Sequence, residues 1–225
     1  GNLRVLGSSG SFKTDMCWPP LDLMLIGGLL EKNSIGFEIF DAQALGKDFN
    51  DIKKLLLEKK PKAVVFSTST ATIYSDIKVA DSVKSMSKDT ITIGFGIHFS
   101  AIPEETMNLN ENLDVGIYVP EPEMTLLEII KTGYVLENVR GICYRKEGKI
   151  IKTPTHPGYA SREELGFPAH DKIPLNAYHD PNMRRAPLSI TLAQQGCINN
   201  CSYCVCPQFY GKLKARNPKH VFDEL

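Results

Sequence analysis

The sequence predicts an α/β protein whose first 135 residues form a doubly wound, five-stranded parallel sheet, and three observations carry that expectation. Short apolar runs alternate with longer amphipathic segments from residue 3 to residue 132, the pattern of consecutive βαβ units. The run Ala63-Val64-Val65-Phe66 is apolar without interruption, as a central strand covered by helices on both faces must be. A content of 42% hydrophobic and 23% charged residues is that of an ordinary globular chain, not of a disordered or collagen-like one.

Taken in order, the candidate strands are residues 3–7, 37–41, 63–67, 90–94 and 115–119. The amphipathic segments between them give candidate helices at 21–32, 51–59, 75–86, a short one from Pro103, and 124–131. The pattern then changes. Residues 141–145 and 150–152, joined by Lys146-Glu147-Gly148-Lys149, read as a β-hairpin. Residues 153–187 hold six of the fourteen prolines with little apolar periodicity, which predicts an extended linker rather than a packed element. A further strand at 188–193, a cysteine loop at 196–207 and a helix opening at Pro218 complete the chain. The expected organisation is thus a first domain at 1–135, a hairpin and proline-rich linker at 136–187, and the start of a second domain at 188–225.

Charge and cysteine placement narrow the function. Lys and Arg number 26 and so do Asp and Glu, which leaves no basic surplus for phosphate neutralisation, so no nucleic-acid partner is expected. The apolar stretch at 21–30 carries Asp22 and falls far short of the ~20 residues a bilayer span needs, so no membrane association is expected either. Cys17 and Cys143 stand alone, whereas Cys197, Cys201, Cys204 and Cys206 fall within ten residues, a distribution unlike a disulfide scaffold. A soluble protein in a reducing cytoplasm is expected. The chain begins with Gly and ends at Leu225 inside what reads as a helix, so it is read as a fragment that would not turn over alone.

Cys197-x3-Cys201-x2-Cys204 places three thiolates within eight residues, short enough for one loop to wrap one metal centre. Thiolates select zinc, copper(I) or iron–sulfur clusters. Structural zinc wants four closed ligands, usually as two separated pairs, and no second Cys-x2-Cys pair is present; His156, His170 and His179 lack zinc-finger spacing. A cubane held by three cysteines keeps one iron open to a substrate. Two other readings stand beside it at this point: a closed ferredoxin-type cluster with Cys206 as fourth ligand, and a zinc knuckle. Cys17 and Cys143 read as packing residues.

These residues resemble the radical SAM superfamily, whose signature is Cys-x3-Cys-x2-Cys with an aromatic residue before the third cysteine, here Tyr203. The resemblance implies a [4Fe-4S] cluster on Cys197, Cys201 and Cys204, S-adenosylmethionine on the open iron with Tyr203 near its adenine, and reductive cleavage to a 5′-deoxyadenosyl radical. It also implies that residues 188–225 are the truncated start of a (β/α) partial barrel, and that an electron donor such as flavodoxin or ferredoxin is a partner.

In the first domain no Gly-x-Gly-x-x-Gly follows the first strand and no Gly-x4-Gly-Lys-Ser/Thr occurs, which disfavours dinucleotides and nucleoside triphosphates. A doubly wound sheet binds at the carboxyl ends of its strands. There Ser67-Thr68-Ser69-Thr70 supplies hydroxyls and Gly94-Phe95-Gly96 allows close backbone approach, although such runs are commonly caps and turns. With Trp18-Pro19-Pro20, Gly96-Ile97-His98 and Pro120-Glu121-Pro122-Glu123, in this order, they resemble the flavodoxin-like cobalamin-binding domain that precedes the barrel in one radical SAM subfamily. The resemblance implies cobalamin contacts at Ser67, Thr68, Ser69, Gly96, His98 and Glu121. The family's usual Gly-Gly-Pro-His stands here as Phe95-Gly96-Ile97-His98, and residues 8–20 contain no histidine, so no cobalt ligand is expected from that loop.

The two resemblances together imply a cobalamin-dependent radical SAM enzyme. A methyltransferase acting from methylcobalamin on an unactivated centre of a small-molecule substrate is expected. The alternatives are an oxidative cyclase of the magnesium-porphyrin type, a non-catalytic cobalamin sensor module and a ferredoxin-like carrier. No residue of this stretch is assigned a catalytic role.

Overall fold

The structure, a computed structural model, describes residues 16–155 and 162–225. The candidate strand at 3–7 lies outside these residues. Helix α1 (Leu21–Lys32) buries an unbroken run from Leu23 to Leu30, so it is covered on all sides rather than along one stripe. Helix α2 (Phe49–Lys59) begins two residues earlier than its apolar pattern, because Asp48 forms a capping box. Its carboxylate accepts the backbone N–H groups of Asn50 and Asp51, and Asp51 reaches back to the N–H of Asp48. Those backbone donors hold the Asp48 carboxyl below its ordinary range.

Strand β1 (Ala63–Thr68) leads to α3 (Ile73–Asp76) and α4 (Lys78–Met86), two pieces where one helix over 75–86 is expected. Then follow β2 (Ile91–Gly96), α5 (Ile97–Ala101), α6 (Pro103–Asn108), β3 (Val115–Ile117) and α7 (Pro122–Lys131), the last two helices each starting with a proline in the first turn. β1, β2 and β3 are parallel and in that order. Alternate residues of β1 feed two cores. Ala63 and Val65 face α1 and α7, while Val64 and Phe66 face α2, α4, α5 and α6. This three-layer arrangement is the predicted α/β class.

The hairpin, β4 (Ile142–Lys146) and β5 (Lys149–Lys152), extends the same sheet as its antiparallel edge, with Ile117 opposite Ile142 and Cys143 opposite Lys152. Its turn has positive φ at Glu147 and Gly148, the conformation that matches strand twist in two-residue hairpin loops. Among the described residues the sheet has five strands, two of them from the hairpin. The candidate strand at 37–41 joins neither sheet among the described residues and carries a single bridge at Asp41, while Phe37 and Ile39 pack against α1. Because β4 runs down the sheet and β5 runs back, the chain leaves the hairpin at the carboxyl end of the parallel strands.

The linker differs from the expectation of an unpacked extended segment. It folds as a strap of three short 3-10 turns, Arg162–Leu165, His170–Lys172 and Leu175–Ala177, and buries Leu165, Ala169, Ile173 and Tyr178 against α1. The Ala169 N–H donates to Met24 O (2.9 Å), Cys17 and His179 exchange both backbone hydrogen bonds, and the Tyr178 hydroxyl donates to the buried Asp41. Prolines fix the strap's backbone without imposing a period, which is why packing escaped a periodicity reading. Residues 188–193 are likewise not a strand. Only β6 (Gln194–Gln195) pairs, antiparallel with β7 (Lys214–Ala215), flanking α8 (Cys206–Tyr210) and followed by α9 (Pro218–Glu224). No helix among the described residues is long and apolar enough to cross a membrane.

Candidate functional site

Parallel strands deliver their carboxyl ends to one side of the sheet, and the loops there form a rim. The backbones of β1 and β2 meet closely at that rim. Gly96 has φ +129, and a Cβ at this position would stand 2.1 Å from Thr68 O, so only glycine fits. The Thr68 hydroxyl donates to Phe95 O at 2.9 Å, which ties the two strand ends together.

A cavity of about 550 Å3 opens above this rim, within the ~300–1,000 Å3 usual for small-molecule and cofactor sites. Ser67, Thr68, Phe95 and Gly96 form one wall with Val119 and Pro120. The opposite wall comes from the second part of the chain: Gln195 and Gly196 before the cysteine loop, and Cys206, Phe209 and Tyr210 after it. Charged groups gather at the seam. Asp22, Glu123 and Arg162 line it, with Arg162 paired to Glu123 at 3.4 Å and donating through Nε to Gln195 Oε1 at 2.7 Å. Burial, with Glu123, Cys206 and Asp22 nearby, raises the Tyr210 hydroxyl's pKa against the opposing pull of Arg162, so Tyr210 stays a protonated donor at neutral pH.

The second part is anchored by a buried ionic group. Arg216 pairs with Glu224 at 2.5 Å, donates to Leu192 O at 2.9 Å, and His170 of the strap reaches Glu224 at 3.3 Å. Burial pushes the Glu224 carboxyl up, but Thr191, Arg216 and His170 outweigh it and hold the group below its ordinary range. The strap, the segment before the cysteines and α9 thereby meet at one point.

The sequence-predicted residues divide into those on the cavity and those beside it. Ser67, Thr68 and Gly96 line it. Ser69 turns away: its hydroxyl meets that of Thr72 at 2.8 Å, and its N–H donates to the buried Asp76. His98 faces Thr70, Nδ1 to Oγ1 3.3 Å, and Glu121 is buried at the start of α7. Cys197 and Cys204 are partly buried, Cys201 is exposed, and Tyr203 is 88% exposed. Asp22, Glu123, Arg162, Gln195 and Tyr210 were given no site role from sequence, although Glu123 stands in the stretch 120–123 that carries the cobalamin-domain resemblance. Glu123 had a signal, a carboxylate one place after a helix-starting proline; Arg162 had none, since nothing in a strap sequence marks an inward-facing cation.

The three cysteines of the loop form a donor set made only of thiols. Among the described residues no three His, Cys, Asp or Glu side chains converge as ligands of one metal ion. A set made only of thiols suits an iron–sulfur cluster, in which each cysteine binds a different iron. The loop already turns on itself, with the Cys204 N–H donating to Cys201 O (3.0 Å) and the Asn199 N–H to Cys197 Sγ (3.4 Å). Partial burial and the neighbouring Cys204 and Cys197 raise the pKa of Cys206. The rim, more apolar than polar and with bare backbone at Gly96, suits a flat ligand with polar substituents.

Thiol accessibility gives a direct check. Cys143 is fully buried, and burial pushes its pKa up to about 11, whereas Cys201 is exposed. Alkylation of the folded apoprotein is expected to label Cys201 at least ~100-fold faster than Cys17 or Cys143, as mass spectrometry of the labelled peptides would read. Comparable rates for Cys143 and Cys201 would contradict the packing described.

The fold and the rim define a cobalamin-binding class of protein: a profile of the B12 binding domain matches residues 11–127, just over half of the chain, and the chain belongs to that family. Among curated proteins it is similar to an uncharacterized methyltransferase of Pyrococcus horikoshii, 25% identical over 226 positions, covering 99% of this chain and 46% of that protein. It is also similar to the anaerobic magnesium-protoporphyrin IX monomethyl ester cyclase of Rubrivivax gelatinosus, 25% identical over 224 positions, covering 92% of this chain and 38% of the cyclase. Of solved structures, the cobalamin-dependent S-adenosylmethionine radical enzyme OxsB, with aqua-cobalamin and S-adenosylmethionine bound, superposes with a TM-score of 0.80 at 17% identity. That match covers 99% of this chain and 30% of OxsB. The radical S-adenosylmethionine methyltransferase TsrM from Kitasatospora setae superposes with a TM-score of 0.69 at 16% identity, covering 99% and 44%. At those identities the superpositions establish the fold. The chain spans less than half the length of each of these relatives.

Proposed function

We propose that the chain is the cobalamin-binding and cluster-binding part of a cobalamin-dependent radical SAM methyltransferase of the reducing cytoplasm. Residues 1–135 would be the cobalamin domain, 136–187 the connection and 188–225 the opening of the radical SAM domain. The observation that carries this reading is the shared cavity, walled on one side by the sheet rim and on the other by the segments flanking the cysteine loop. Two cofactors that act on one substrate need such a common space. Bound there, cobalamin and a cluster carrying S-adenosylmethionine supply radical methyl transfer to an unactivated centre.

The chain's own residues provide the seats. Cys197, Cys201 and Cys204 hold the cluster, leaving one iron open, and Tyr203 is exposed and able to stack on an adenine. Ser67, Thr68 and Gly96 present polar and bare backbone groups to the corrin, flanked by Ser69, His98 and Glu121. The protonated Tyr210 and the Asp22 carboxylate offer a donor and an acceptor to amide substituents. An electron donor of the flavodoxin or ferredoxin kind and a small-molecule substrate complete the proposal. A ring-forming oxidative reaction is the second reading, supported by the similarity to the Rubrivivax gelatinosus cyclase.

Anaerobic reconstitution of the chain with iron and sulfide is expected to give a broad visible absorption that Cys201→Ala abolishes, together with a spectral shift on adding hydroxocobalamin that Cys201→Ala retains. Uptake of neither iron nor cobalamin would overturn the proposal. Iron bound equally by Cys201→Ala would overturn the ligand set alone.

A further inference from the structure

Three segments that are remote in sequence meet at Arg162. Its Nε donates to Gln195 Oε1 at 2.7 Å, and its Nη1 stands 3.4 Å from Glu123 Oε1. The group is withdrawn from water: the Arg162 side chain is 12% exposed, that of Glu123 3%, and Gln195 is buried. All three residues line the shared cavity. Gln195 ends β6, two residues before Cys197, and Glu123 lies in the first turn of α7 next to the rim.

A guanidinium suits this place, because its planar fork presents separate N–H groups to two acceptors at a fixed angle, whereas an ammonium is a single point donor. The segment needs such a tie. β6 pairs with β7 over only two residues, too short a ladder to fix an orientation, and the six residues before it form no strand. Removing the guanidinium takes the opposite charge from a buried carboxylate and a donor from a buried amide, so the tie is costly to release.

We propose that Arg162 is a positioning residue that sets the strand entering the cysteine loop at a fixed spacing from the sheet rim, so that a ligand seated on the rim and the cysteine loop are held in register. The inference rests on the reading that the rim seats cobalamin, and the test separates the two. Hydrogen–deuterium exchange is measured on the 225-residue chain, wild type, Arg162→Gln, Arg162→Lys and Glu123→Gln, with and without hydroxocobalamin.

Without ligand, Arg162→Gln is expected to speed exchange of the amides at 194–197 and 211–215 by about ten-fold or more while β1 to β3 stay at wild-type rates. Arg162→Lys, which keeps the charge but not the fork, is expected to fall between, and Glu123→Gln to change less, since the bond to Gln195 remains. With cobalamin, wild type is expected to slow at the rim and at 194–197, and Arg162→Gln at the rim only. Wild-type exchange at 194–197 in both Arg162 variants, or cobalamin slowing of 194–197 that survives Arg162→Gln, would overturn the proposal. If wild type shows no response to cobalamin at the rim, the seating of cobalamin there is lost, while the ligand-free comparison still decides whether Arg162 holds the strand.

Discussion

Phe99→Ala is expected to destabilise the chain by about 3–5 kcal/mol, the range for removing a fully buried aromatic ring that its surroundings cannot refill. Phe99 is 0% exposed, and its ring rests directly on the backbone of two neighbouring strands. A Cβ on Gly94 would come within 2.6 Å of the ring and one on Gly116 within 2.5 Å, so β2 and β3 have no side chains there to relax into the gap. Thermal melting should fall by roughly 10 °C, taking about 2–4 °C per kcal/mol for a chain of this size. Phe99→Leu, which keeps most of the volume, is expected to cost under about 1.5 kcal/mol. The ring is also the anchor of α5, whose Ile97 and Ser100 line the cavity, so cobalamin binding should weaken in Phe99→Ala at temperatures where the sheet is still folded. A loss below about 1 kcal/mol would mean that something else holds α5 to the sheet.

Gly28→Ala tests the strap, and two effects of opposite sign make its outcome decisive. Gly28 lies inside α1, where alanine is favoured over glycine by about 1 kcal/mol of helix propensity. Against this, the added Cβ would stand 1.8 Å from Phe167 O and 2.9 Å from Phe167 C, both backbone atoms that cannot swing aside. The strap would have to lift from α1, stretching the hydrogen bond from Ala169 N to Met24 O and uncovering Leu165, Ala169 and Ile173. Overpacking of this kind costs about 1–3 kcal/mol, and the exposed apolar area adds to it, so a net loss near ~2 kcal/mol is expected in urea denaturation. A variant more stable than wild type would show that propensity wins and that the strap is not docked as described.

The contrast between these two sites and the seam shows what a sequence can announce. The parallel sheet was legible because Ala63-Val64-Val65-Phe66 is an unbroken apolar run of strand length, buried on both faces. The hairpin was legible through Glu147-Gly148. The strap was not, because Leu165, Ala169, Ile173 and Tyr178 are spaced by 3-10 turns and prolines that follow no single period. For the same reason a strand was expected at 188–193, where the chain is held instead by the Arg216 guanidinium, which bonds Leu192 O across 24 positions of sequence. Within the candidate site, hydroxyls after a central strand marked Ser67 and Thr68, but the Arg162 contacts depend on three segments meeting in space, information that no local window contains.

Among the described residues β5 is the antiparallel margin of the sheet, and this bears on how the protein behaves among copies of itself. Its sequence, Lys149-Ile150-Ile151-Lys152, places a cation at each end of a four-residue edge. Any chain that tried to add a further strand there would have to bring its own backbone alongside two ammonium groups and give up their hydration, for a ladder only four residues long. The antiparallel margin therefore acts as a guard against self-templated fibre growth, and neutralising both lysines is where aggregation on storage should first be sought.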